Sequence, residues 1–295
     1  MTQLSLHEIF TDDEKAFDFA LNTNLLYNNG KCEKCNGKYM VFTDNYKKSN
    51  RYLKCEHCGN KKSIFHKSIF TRSKLKICQI LHLIYCWAVK MGREQAAHEC
   101  NASPKAITNF YETLRQTCVD WNEEVNQTPI GGPNCTVEID ESLMSTRKNH
   151  AGRILSQHWI FGGICRETNE RFVLSVPDRS SQTLLPIIQD RIAPNTHINS
   201  DSWKAYNSIN QLPQNYTHAT VNHSLNFVDP VTKTHTQRVE RMWREVKRVK
   251  RRYEGIPHSQ VDAHISEYLW RTQEGVTYEN AFEKAVKLIA DTYYI

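Results

Sequence analysis

No run of apolar residues in this 295-residue sequence approaches the roughly 18 that a membrane-spanning helix requires. The opening stretch, MTQLSLHEIFTDDEK, lacks the basic-then-apolar order of a secretion signal. A chain without either feature is expected to stay inside the cell and off membranes. A convincing Ser-His-Asp arrangement is also missing, so covalent hydrolase chemistry has no obvious seat. A strong overall charge is absent too, the formal net value being +6. With 39% hydrophobic and 24% charged residues the composition is that of an ordinary globular protein. Its length exceeds one small core, and two or three compact units are expected.

The basic surplus is concentrated. From Arg238 to Arg252 the run RVERMWREVKRVKRR holds eight basic and two acidic residues, a surplus equal to that of the whole chain. A polyanion is the partner such a patch implies. Ten cysteines in a large chain without a secretion signal point to metal binding rather than to a disulfide framework. Cys32 and Cys35 form one C-x2-C knuckle and Cys55 and Cys58 a second, with nineteen residues between them that include strand-like KYMVF and RYLKC. A hairpin of that length brings two pairs of thiolates together as a tetrahedron around one zinc ion, and four sulfurs leave no open position, so the site reads as structural. His57 is not needed as a ligand. Cys78, Cys86, Cys100, Cys118, Cys135 and Cys165 are scattered among apolar residues and are read as core.

Along the chain, LHEIFTDDEKAFDFALNTNLL has Phe17, Leu21 and Leu25 on one helical side. KICQILHLIYCWAVK predicts a packed helix over 76–90, REQAAHEC a second, and KAITNFYETLRQ a third, with Ser103 as N-cap and Pro104 in the first turn. Three helices with a tight turn before the last are compatible with a helix-turn-helix that offers Lys105, Thr108 and Asn109 to DNA. Pro129, Gly131, Gly132 and Pro133 mark a linker. Beyond it CTVEIDES, HWIFGGIC and RFVLSVP read as strands, QTLLPIIQDRI as a helix, THINS as a strand, WKAYNSIN as a helix, YTHATVNH as a strand and 236–252 as a long helix. That order is ribonuclease-H-like. The predicted fold class is therefore mixed α/β: a helical segment over 1–29, a zinc ribbon over 30–70, a helical region over 71–128, a ribonuclease-H-like catalytic domain over 134–275 and a C-terminal helix over 276–295.

In this order Asp140 ends the first strand, Asp201 ends the fourth, and Glu240 lies in the first turns of the last helix. Three crowded carboxylates repel one another and are stable mainly when divalent cations neutralise them, which implies magnesium or manganese. Two such ions support in-line phosphoryl transfer. Glu138 and Glu141 flank Asp140 and are read as turned to the opposite face of the strand. Glu245 and Asp229 compete with Glu240 for the third place. Lys247 lies two helical turns after Glu240 with Arg244 between them, and these residues, with Arg248 and Arg251, are the candidate phosphate contacts. Trp203 and Trp243 are assigned to the core in preference to base stacking.

VEIDES, NSDSWKAYNSI and TVNHSLNFVDPVTKTHTQRVERMWREVK resemble the three catalytic blocks of Merlin-type transposases and their bacterial insertion-sequence relatives, which carry an N-terminal zinc ribbon. The resemblance spans roughly residues 30 to 275, and its most specific part runs from His218 to Lys247. It implies an acidic triad of Asp140, Asp201 and Glu240, thirty-eight residues separating the last two, and a basic residue at Lys247. One departure is Thr236-Gln237, where relatives have Thr-Asn. The resemblance further implies a DNA transposase that cleaves and joins transposon ends with two magnesium or manganese ions and one structural zinc. Its partners would be double-stranded DNA, both terminal inverted repeats and target, and it would act as a homodimer or larger assembly. FVDP looks closer to the eukaryotic branch and implies a nuclear protein, the bacterial cytoplasm being the alternative. A domesticated DNA-binding descendant and a ribonuclease-H-like nuclease are the rival readings.

Overall fold

The computed structural model describes residues 3–26, 30–43, 51–71, 73–144, 158–222, 234–252 and 257–293. The chain divides into two compact units, Met1–Asp120 with Val276–Ile295, and Trp121–Gly275.

The first unit begins with α1 (Gln3–Thr11) and α2 (Asp13–Asn22). The sequence reads as one helix here, and Asp12 is why there are two. Its backbone is extended (φ −110°, ψ 114°), and its carboxylate accepts from the amides of Glu14 and Lys15. A short acidic side chain satisfies two orphan N–H groups better at a helix start than in a helix interior. A three-stranded antiparallel sheet follows, β1 (Tyr39–Thr43), β2 (Arg51–Cys55) and β3 (Lys61–Ser63). The Arg51 guanidinium lies 3.8 Å over the Phe17 ring, tying this sheet to α2. Next come α3 (Ile77–Ala88), α4 (Arg93–Glu99) and α5 (Pro104–Glu124). Within α3, Ile77, Cys78, Ile80, Leu81, Leu83, Ile84, Cys86, Trp87 and Ala88 are buried. A helix apolar on nearly every side is a central one. In α5, Ile107, Tyr111, Leu114 and Cys118 face inward, while Lys105, Asn109, Glu112 and Gln116 are exposed and Thr108 is half-buried. The Ser103 hydroxyl caps this helix through the Ala106 amide at 3.2 Å.

The second unit contains β4 (Ile130–Gly131), β5 (Thr136–Leu143), β6 (Trp159–Cys165), β7 (Arg171–Val176), α6 (Ser181–Arg191), β8 (Ile192–Ala193), β9 (His197–Asp201), β10 (Thr217–Val221), α7 (Gln237–Arg252) and α8 (Val261–Gln273). Five strands form one sheet in the order β10-β9-β5-β6-β7. β5, β6 and β7 run antiparallel in sequence, whereas β9 lies parallel to β5 and β10 parallel to β9. An antiparallel three-strand meander extended by two parallel strands from its first member, with helices on both faces, is the ribonuclease-H-like fold. On one face Val137, Ile139, Phe161, Ile198 and Tyr206 pack with Leu184 and Ile188 of α6. On the other, Ile160, Ile164 and Val173 pack with Val239, Met242, Trp243 and Val246 of α7 and with α8.

WKAYNSIN is not the predicted α-helix but two 3-10 turns, Lys204–Tyr206 and Ile209–Gln211. The Asp201 carboxylate accepts the Trp203 amide at 2.9 Å, and Asn207, Ser208 and Asn210 are residues that favour turns over helix interiors. The final helix α9 (Ala281–Tyr293) belongs to the first unit, where it packs on α3 and Phe282 sits edge-on to Phe10 at 5.8 Å. Among the described residues no helix is long and apolar enough to cross a membrane.

Candidate active site and metal centre

A strand projects alternate residues to one face. Glu138, Asp140 and Ser142 therefore share a face of β5, and α7 is fastened along that face at all three positions. Glu138 is fully buried, and its Oε2 accepts the amides of Arg238 at 2.8 Å and Val239 at 3.1 Å. Its Oε1 accepts the Arg166 Nε at 2.7 Å. A carboxylate on a neighbouring strand thus caps the N-terminus of α7, satisfying orphan amides and facing the positive end of the helix dipole. One turn further, the Trp243 Nε1 donates to Asp140 Oδ2 at 2.9 Å. One turn beyond that, Lys247 Nζ donates to Ser142 Oγ at 2.6 Å.

The expected orientation of Glu138 is corrected by this arrangement. Two residues before Asp140, it lies on the same face and not the opposite one. Glu141 does turn away: its side chain is almost wholly buried, accepts a hydrogen bond from the Tyr206 hydroxyl and lies 3.7 Å from the Arg179 guanidinium. That guanidinium is in turn stacked between the rings of Trp159 and Trp203, at 4.1 and 4.3 Å.

Gly162 makes room for the Trp243 contact. It pairs across the ladder with Asp140, and a Cβ placed on it would stand 2.6 Å from the Phe172 carbonyl oxygen and 2.8 Å from the Trp243 ring. Gly162→Ala is expected to push Trp243 off Asp140 and to cost about 1–3 kcal/mol, as overpacking does. Equilibrium urea unfolding checks this.

Asp201 ends β9, which runs parallel to β5 in a register that sets Asn199 opposite Glu138. Continuing that register by two residues brings Asp201 beside Asp140. Their charges are felt in the titration of Asp140, which is pushed up to about 7, first by burial, then by the neighbouring Glu141 carboxylate, and also by Asp201, against the lowering effect of the Trp243 bond. A folded value above the unfolded one of about 3.9 means that ionisation opposes folding. The stability contributed by the protonated form is complete below pH 4, declines as pH rises and is gone above pH 7, a span worth up to roughly 4 kcal/mol. Asp140→Asn is therefore expected to raise Tm at pH 8 in buffer without magnesium and to have little effect at pH 4. Thermal melts across that range measure it.

Glu240 is half-buried in the first turn of α7. Among the described residues, the ligating oxygens of Asp140, Asp201 and Glu240 do not all lie within 4.8 Å of one another. The competing Glu245 is engaged elsewhere, by Arg241 at 3.3 Å and the Tyr268 hydroxyl at 3.2 Å. Asp229 lies outside the described residues. Arg244 and Arg248 are exposed on α7, and the side chain of Arg251 lies outside the described residues. Trp243 is buried and Trp203 is 37% exposed.

In the first unit the two knuckles meet. The Sγ atoms of Cys32 and Cys58 are 3.6 Å apart, those of Cys35 and Cys55 are 3.5 Å apart, and all four lie within 4.8 Å of one another. Each knuckle leaves through a left-handed residue, Asn36 at φ 58° and Gly59 at φ 69°, types that adopt this conformation with least strain. The β1–β2 register, with Tyr39 opposite Cys55, carries one knuckle to the other. Four soft sulfurs at tetrahedral edge lengths fit zinc.

The sheet thus sets Asp140, which lies inside β5 three residues before Leu143 and not at the strand end expected from the sequence, beside Asp201 at the end of β9. The ISXO2-like transposase domain model matches residues 121–273, about half of the chain and nearly all of the second unit, so the chain belongs to that family of transposases related to bacterial insertion sequences. A transposase-like protein of Haemophilus influenzae is 26% identical over 100 residues, 34% of this chain and 78% of that one. Two solved structures are more distantly similar. The integrase catalytic core of HTLV-2 in complex with magnesium has 16% identity and a TM-score of 0.32, covering 47% of this chain and 86% of that one. The catalytic core of BIV integrase has 19% identity and a TM-score of 0.31, covering 46% and 81%. The strand order, and not these distant likenesses, defines the fold.

Proposed function

We propose that this transposase cleaves the phosphodiester bonds at transposon ends and joins the freed 3′ hydroxyls to target DNA, with Asp140, Asp201 and Glu240 as its catalytic carboxylates. The observation that carries the reading is the docking of α7 on β5, which fixes Glu240 on the helix laid over Asp140. Hard carboxylate oxygens suit magnesium or manganese, and Asp140, Asp201 and Glu240 would hold the ions. Bound there, two such ions supply activation of the attacking water or hydroxyl and stabilisation of the leaving oxygen. The chain's own residues do the rest. Glu138 orients the helix, Trp243 orients the Asp140 carboxylate, and Arg244 and Arg248 present exposed charge to phosphates. Lys247, donating to Ser142, is within the same row and joins the phosphate contacts by exchanging that partner. Lys105, Thr108 and Asn109, on the outward side of α5, contact the end sequence. Two ends are processed together by a homodimer or larger assembly.

The test is incubation of a labelled end duplex with plasmid DNA in magnesium, manganese or neither. Joined product that requires the ion supports the reading. Cleavage confined to RNA or to hybrids would favour a ribonuclease, and binding to ends without cleavage would favour a DNA-binding descendant.

The knuckle cysteines would hold one structural zinc. Cys35→Ser with Cys58→Ser is expected to lose that ion and the β1–β2 hairpin with it, because so small a sheet has little core of its own. Metal analysis and limited proteolysis over residues 30–70 follow the loss.

A further inference from the structure

A second group of soft ligands lies among the helices of the first unit. On α3, His82 and Cys86 are four residues apart and so share a side of the helix. Cys100 follows the last residue of α4, with its amide bonded to the Ala96 carbonyl. The chain brings these three together, with one ligating atom of each within 4.8 Å of the others. Cys86 and Cys100 are buried, and their Sγ atoms stand 3.7 Å apart. The His82 side chain stacks on Phe10 at 4.7 Å with the rings 9° from parallel, which fixes the plane of the imidazole.

The sulfur separation is informative. Around a tetrahedral zinc with bonds of about 2.3 Å, the distance between two sulfurs is the tetrahedron's edge, about 3.8 Å. The knuckle pairs of the same chain stand at 3.6 and 3.5 Å. A disulfide would need about 2.05 Å. We propose that His82, Cys86 and Cys100 form a second zinc site, distinct from the ribbon. Among the described residues no other His, Cys, Asp or Glu joins the group, so the set is Cys2His with one position left for solvent.

The position of Cys100 gives the site a consequence. It precedes Asn101, at φ 46°, and the turn that leads to Ser103 and α5. An ion held there ties the end of α4 and the turn to α3, and so fixes where α5 begins.

Titration of metal-free full-length protein with cobalt, followed by its sulfur-to-metal absorption, decides the matter, with zinc displacement as the second step. Two equivalents are expected. The Cys86→Ser, Cys100→Ser variant should keep the ribbon equivalent and lose the other. His82→Gln, at a half-buried position, should weaken the second equivalent at least tenfold while leaving the helical circular dichroism of the native protein, so the test survives if the double variant misfolds. Saturation of the native protein at one equivalent overturns the proposal, and so does a second equivalent that both variants retain at native affinity.

Discussion

Glu240→Gln and Asp201→Asn are each expected to lower magnesium-dependent end joining by at least a thousandfold, about 4 kcal/mol at the transition state, while end binding stays within a fewfold of native. The size follows from what each carboxylate does. Removing a charge that holds a divalent ion removes stabilisation that is strongest when charge develops on the attacking and leaving oxygens, so it appears in the rate and not in substrate binding. The amide replacements keep shape and hydrogen bonding. Asp201 still accepts the Trp203 amide in its native form, and Asn retains that acceptor. Gel-shift titration and single-turnover joining, run side by side, separate the two effects. Glu245→Gln, engaged by Arg241 and Tyr268, serves as the comparison and should join at near-native rates.

Glu138→Ala is expected to destabilise the second unit by about 3–5 kcal/mol, the cost of leaving a buried partner charge uncompensated. Glu138 is fully buried between Arg166 and the first amides of α7. Its loss leaves the guanidinium with its His235 contacts but without its buried carboxylate partner, and takes the acceptor from two helix amides. Because α7 carries Glu240, the damage should reach activity even at temperatures where the unit remains folded. Glu138→Gln retains an acceptor without the charge and should lose less than the alanine variant. Urea unfolding measures the stability, and an alanine variant within 1 kcal/mol of native would show that Glu138 does not hold the helix.

What the sequence displays of this molecule is what depends on local spacing. The C-x2-C knuckles are legible because two thiolates at that spacing need only one turn, and the hairpin between them is read from KYMVF and RYLKC. The strands bearing Asp140 and Asp201 and the basic helix bearing Glu240 are legible for the same reason, since alternation and helical period are local properties, although β5 runs on to Leu143 instead of ending at Asp140. Contacts between distant segments are not. The cap that Glu138 provides for α7 joins residues a hundred positions apart, and sequence gives no sign of it beyond the two-residue spacing from Asp140. Gly162 likewise looks like any glycine in a strand until the Trp243 ring is seen against it. α8 was hidden by its own composition: it buries His264, Ser266, Glu267 and Arg271 along with its apolar residues, which blurs the periodic stripe. The Arg271–Glu267 pair at 2.9 Å shows how that burial is accommodated. The return of α9 to the first unit is a tertiary choice, and so is the meeting of His82, Cys86 and Cys100.

The central claim, that Asp140, Asp201 and Glu240 act as one metal-binding set, is tested most directly by anomalous diffraction from crystals of the protein with a transposon-end duplex and manganese. Manganese coordinated by oxygens of all three residues, at about 2.1–2.3 Å, is the predicted result. Manganese held by Asp140 and Asp201 together with Glu141, with Glu240 uncoordinated, would contradict it.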